Sequence, residues 1–126
     1  MEKQISPGLR STFLAHFVVA LVLGFVFLLI PETYGNLVNW QVNDPFMFRM
    51  FGGVTLGLGV ASWLAYKETV FEKVKIVVVM EIFWTSLGTL ISVWGVLFDG
   101  LPMVAWINAI MLAAFAAAFS FFYLKK

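Results

Sequence analysis

Two side chains set inside otherwise apolar stretches carry the clearest acid-base chemistry in this sequence: His16, its one histidine, and Glu81. An ionisable group within a membrane-spanning stretch is costly, faces other helices or a cavity, and is by default a candidate functional position. His16 follows the charged border at Arg10 by six residues, and Glu81 follows Lys75 by six. At helical rise each lies about 9 Å past its border. Both helices enter from the same side, so an imidazole and a carboxylate reach matching depth and a His16 to Glu81 hydrogen bond or ion pair is expected.

Each residue also lies on its own stripe: His16 with Ala20 and Gly24, Glu81 with Thr85, Gly88, Ser92 and Gly95. Three readings stay open. The pair is a proton-handling or ligand-binding site with Thr85 and Ser92 lining the path. It is a polar clasp that sets the register of two helices. Or Glu81 is unpaired within the chain and faces another subunit. A second, outer polar cluster is expected from Arg49 and Asn108, which enter from the opposite side. Arg49 lies about one turn inside that boundary, where its long side chain can snorkel to headgroups or to Asp44 or Asp99.

The elements that must position these groups are transmembrane helices. Of 126 residues, 62% are hydrophobic and only 12% charged, whereas soluble domains run about half apolar and a quarter charged. With about 20 apolar residues per span, the chain divides into four spans, at about residues 9–30, 45–66, 72–98 and 102–124, forming a single transmembrane domain. The fold class expected is all-α, an integral membrane four-helix antiparallel bundle.

Start and stop signals agree. Ser6 before Pro7, and Asp44 before Pro45, read as N-caps followed by proline in the first turn. Thr69 and Glu72 match the spacing of a capping box for the third span. Asp99, Gly100, Leu101 and Pro102 read as a tight turn. Residues 31–44, with Tyr34 and Trp40 among polar side chains, suit an interfacial loop with room for a short surface helix. The first apolar stretch is longer than a signal-peptide core and is followed by no small-x-small cleavage site, so it is kept as a span.

Charge sets the expected orientation. Lys3, Arg10, Lys67, Lys73, Lys75, Lys125 and Lys126 fall on one side of the four spans and Arg49 alone on the other. The positive-inside rule then places both termini in the cytoplasm, in the plasma or inner membrane of the cell. Packing faces follow from small residues at four-residue spacing: Gly53, Gly57, Ala61 and Ala65 in the second span, and Ala105, Ala109, Ala113 and Ala117 in the fourth. These two faces are expected to meet.

Much chemistry is excluded. There is no cysteine for disulfides, thiolate metal sites or iron-sulfur clusters, and no second histidine for bis-imidazole haem. Nucleophile-base pairs, phosphate-cradling loops and metal-ligand spacings are missing too. No catalytic residue, metal or cofactor is assigned, and an enzyme is not expected. A net charge of +1 offers no surface for nucleic acid.

The segment Asp44-Pro45-Phe46-Met47-Phe48-Arg49-Met50-Phe51-Gly52-Gly53, with its glycine-rich continuation to Gly59 and a first span ending at Pro31-Glu32, resembles small four-span membrane proteins of the DoxX-like and DUF4345-like type. That resemblance implies a four-span fold and transfers no catalytic residues. The function expected is that of a non-catalytic accessory or assembly subunit of a larger membrane complex, or of a homo-oligomer. Its partners would be the lipid bilayer and other membrane subunits or itself. The alternative is a small carrier or proton-linked binding protein using His16 and Glu81, and a quinone- or pigment-adjacent subunit is a third.

Overall fold

The computed structural model describes residues 2–125, so Lys126 of the charge tally lies outside the described residues. The chain is all-helical: α1 (Pro7–Leu29), α2 (Pro31–Val38), α3 (Pro45–Lys67), α4 (Phe71–Phe98) and α5 (Val104–Leu124). Four of these, all but α2, are long and apolar enough to cross a membrane. α2 fills the expected interfacial loop, beginning at Pro31 directly after α1 ends.

The caps at Ser6 and Asp44 form as read. Ser6 accepts a hydrogen bond from the Leu9 amide at 3.1 Å, and Asp44 accepts one from the Phe46 amide at 3.1 Å, each worth about 1 kcal/mol. Gly100 takes the left-handed conformation (φ 69°) that lets the α4–α5 turn close, with the Asp99 and Leu101 amides both donating to the Gly95 carbonyl.

The capping box at Thr69 and Glu72 does not form. Val70 is the N-cap of α4 and no side chain caps it. The Phe71 amide donates instead to the Lys3 carbonyl at 2.8 Å, and the Ile5 amide to the Thr69 carbonyl at 2.8 Å. A short extended stretch before α1 thus lies along the α3–α4 turn and satisfies backbone groups that a side chain would otherwise cap. Lys3 also donates from Nζ to the Lys125 carbonyl at 2.7 Å, and Arg10 donates to the Glu68 carbonyl at 2.9 Å.

The long helices associate as two pairs, α1 with α3 and α4 with α5, and the contact between α3 and α4 is slight. Buried positions follow a three-four spacing: Phe71, Val74, Val78, Glu81 and Thr85 on α4, and Gly52, Thr55, Gly59, Ser62 and Ala65 on α3. That is the seam of helices packed at shallow angles. At Gly52 a Cβ would stand 2.7 Å from the Gly24 carbonyl oxygen and 2.7 Å from the Leu28 amide nitrogen, so only glycine lets the two backbones come this close.

The expected stripe on the second span is corrected by this seam. Gly53 and Gly57 are exposed with nothing near their missing Cβ atoms, Ala61 is half-buried, and Ala65 is buried. Four residues turn a helix about 40° beyond a full turn, so a strict four-residue stripe spirals from the outer face to the inner one. In α5 the same drift runs outward: Ala105 and Ala109 are buried, Ala113 and Ala117 exposed. The second and fourth spans therefore do not pack on each other through these faces. Each packs on its own neighbour in sequence among the long helices.

Candidate functional site

Three helices bring their polar side chains to one point between the pairs. His16 from α1, Ser62 from α3 and Glu81 from α4 are 3%, 0% and 0% exposed. Ser62 Oγ donates to Glu81 Oε1 at 3.1 Å, and His16 Nδ1 lies 2.7 Å from Ser62 Oγ. With its proton committed to Glu81, the serine hydroxyl accepts from Nδ1–H. The other ring nitrogen, Nε2, lies 3.3 Å from Glu81 Oε2, and the circuit is closed.

Two further donors hold Glu81, one at its carboxylate and one at its backbone. Trp84 Nε1 donates to Oε2 at 2.9 Å, and Thr85 Oγ1 donates to the Glu81 main-chain carbonyl at 2.6 Å. Among the described residues no buried side-chain nitrogen or oxygen is left without a partner. A single proton between Nε2 and Oε2 satisfies both atoms. Whether it resides on the imidazole or on the carboxyl group, the cluster stays neutral and every donor keeps an acceptor, which is what a low-dielectric site requires. The His16 ring is walled by Phe115 at 5.1 Å, Phe119 at 6.1 Å and Trp84 at 6.4 Å between centroids, all edge-on.

The ring separates two kinds of space. On its side toward the α3–α4 turn, Leu9, Phe13, Val74, Val78 and Phe119 form a closed core. Toward the α4–α5 turn the helix pairs part around a chamber of about 580 Å³. Its floor is His16, Trp84 and Phe115, its walls include Leu23, Phe27, Phe51 and Met111, and α2 contributes Tyr34 at the far end. None of the described lining residues is Asp, Glu, Lys or Arg. Apart from His16, polarity is supplied mainly by Tyr34, Thr55, Ser92 and Asn108, and Thr55 spends its hydroxyl on the Phe51 carbonyl at 2.7 Å. Burial pushes the Tyr34 phenol above its usual range, and the nearby Asn108 side chain pulls the other way.

The expected pairing of His16 with Glu81 is therefore present, mediated on one edge by Ser62. Ser62 and Trp84 were not assigned to the site from sequence. Ser62 lies five residues before Lys67, about 7.5 Å along the helix, so counting depth on the second span as on the first and third would have found it. Trp84 lies one turn beyond Glu81, where an i, i+3 pair meets.

Ser92 lines the chamber and Thr85 does not: it is wholly buried and bound to its own helix. The outer cluster is corrected as well. Asn108 faces the chamber and Tyr34, whereas Arg49 is exposed and takes part in none of the ion pairs among the described residues. Phe48 lines the chamber, and the next residue along a helix points about 100° away, which turns Arg49 off the inner face. No family model, curated protein or solved structure matches the chain.

Proposed function

We propose that this chain is a multi-pass membrane protein that binds a small, mainly apolar molecule between its two helix pairs, without catalysing a reaction on it. The chamber carries this reading. At about 580 Å³ it lies within the roughly 300–1,000 Å³ of small-molecule sites, which are mostly apolar with a few placed polar groups. A binding role is favoured over catalysis because both nitrogens of His16 and both oxygens of Glu81 are already taken by neighbours. The ring serves as a clasp that fixes the chamber floor, and its shared proton gives a proton-linked carrier its place in the same reading.

Contacts of His16 with Ser62, Ala20 with Gly59 and Gly24 with Gly52 support an antiparallel course of α1 and α3. The charge count supports cytoplasmic termini in the plasma or inner membrane, and the 44–59 segment supports kinship with the DoxX-like type. A carboxy-terminal reporter active only outside the cell overturns the orientation.

Native mass spectrometry from mild detergent tests the binding reading. The wild type is expected to retain a small molecule that Ser92→Phe, which fills the chamber, releases, and that Val18→Phe, on the 50% exposed outer face, keeps. Retention by Ser92→Phe, or an empty wild type, counts against it. A second reading, an accessory subunit or homo-oligomer, is favoured by one observation: Gly53 and Gly57 leave an open small-residue face on α3. Cysteines at these positions that fail to cross-link to any protein in native membranes remove it.

A further inference from the structure

We infer that the occupant of the chamber is an uncharged amphiphile drawn from the bilayer, with a single hydroxyl or carbonyl head between Tyr34, Ser92 and Asn108 and an apolar body reaching to the His16 ring. This rests on the binding reading above and adds the ligand's chemical class, its direction and its way in.

Charge is decided by the lining. A buried ion without a partner costs several kcal/mol, and no Asp, Glu, Lys or Arg lines the space. The one ionisable group on the floor, His16, has both nitrogens engaged by Ser62 and Glu81. An ionic ligand would find no counter-ion.

Direction is decided by where the remaining polarity lies. Gly88 packs against Leu112, and one turn closer to the α4–α5 turn these helices present Ser92 and Asn108. Tyr34 of α2 lines the same end of the chamber as Asn108, so three helices gather hydrogen-bonding groups at one end. At the other end Trp84 and Phe115 flank His16. Trp84 and Ser92 are eight residues apart on α4, about 12 Å at helical rise, which is the length left for an apolar body.

The way in is lateral. Met47 and Phe51 on α3 and Leu87 and Ile91 on α4 line the chamber, yet they are 59%, 46%, 55% and 69% exposed on the outside of the molecule. They frame an opening where α3 and α4 scarcely touch. Apolar residues on both jambs of such a doorway admit a molecule already dissolved among acyl chains.

The test uses the full chain in phosphatidylcholine vesicles with four dodecyl diazirine probes: an alcohol, a carboxylate, a trimethylammonium and a headless alkane. The alcohol is expected to label Leu23, Met111 and Phe115, and unlabelled dodecanol to compete. The double variant Tyr34→Phe, Asn108→Leu should weaken alcohol labelling about tenfold, the equivalent of one to two lost hydrogen bonds. Alkane labelling should not change, which shows the chamber intact. Ile91→Trp should slow the approach to the same plateau. Equal labelling by the charged probes, or an alcohol signal indifferent to the double variant, overturns the ligand class while leaving the binding reading in place. An unchanged rate in Ile91→Trp removes the lateral doorway. Absence of competable chamber labelling by any probe, the alkane included, sinks the binding reading and this inference together.

Discussion

On one side of the His16, Ser62 and Glu81 ring, Phe13, Val74, Val78 and Phe119 close the space between the helix pairs and are 0–1% exposed. On the other side the same four helices stand apart around about 580 Å³. The difference lies in side-chain size along continuous seams. α1 passes from Phe13 to Ala20 and Gly24, and α5 from Phe119 to Ala109 and Ala105. Small residues let partners within a pair approach closely. Drawing α3 onto α1 through Gly52 and Gly59 withdraws it from α4, and nothing large replaces it. Close packing within pairs and open space between pairs have one cause.

The comparison is broken most severely at its boundary. Glu81→Ala strips the acceptor from Ser62, Trp84 and His16 together, and is expected to cost about 3–5 kcal/mol, as does removal of one partner of a buried pair. Glu81→Gln keeps an acceptor and should cost about 1 kcal/mol. Reversible unfolding in bicelles measures both, and equal losses would mean that the hydrogen bonds contribute nothing beyond side-chain volume.

The two sides can then be weighed directly. Phe119→Ala opens a void in the closed core and should cost about 3 kcal/mol. Leu23→Ala only enlarges a chamber that already exists, and because Leu23 is half-buried it should cost about 1 kcal/mol, below the range of about 2–5 kcal/mol for fully buried leucines. Similar values for the two would indicate that the chamber is filled and load-carrying in the membrane.

The origin of the asymmetry is sharpened by two adjacent glycines. Gly52→Ala thrusts a methyl group against the α1 backbone, an overpacking expected to cost about 2 kcal/mol. Gly53→Ala meets open space and should stabilise α3 by up to about 1 kcal/mol through helix propensity. Thermal inactivation in detergent distinguishes the signs. Trp84→Phe, which removes one donor to Glu81, should likewise cost about 1 kcal/mol by the same measurement.

The sequence made the helices and the His16 to Glu81 meeting legible, because charged borders locate depth and a three-four spacing locates faces. Ser62 escaped because an uncharged hydroxyl gives no sign of its cost in a membrane. Arg49 and Asn108 were paired on depth alone, yet one residue of rotation sends a side chain to another face. The unused capping box at Thr69 had the right local pattern, but residues 3–5, far away in sequence, reached those backbone groups first. The chamber was least legible, since it depends on how far two helix pairs stand apart and no single residue encodes that distance.

The pairing of residues 3–5 with residues 69–71, and of Lys3 with Lys125, has a consequence for synthesis. The segment before α1 finds these partners only once two spans have been threaded, and its lysine waits for the last helix. Docking of this segment therefore comes late in assembly, after spans that follow it in the chain. In nascent chains stalled after residue 60 the Ile5 amide should exchange with solvent faster than in the finished fold, where it donates to the Thr69 carbonyl.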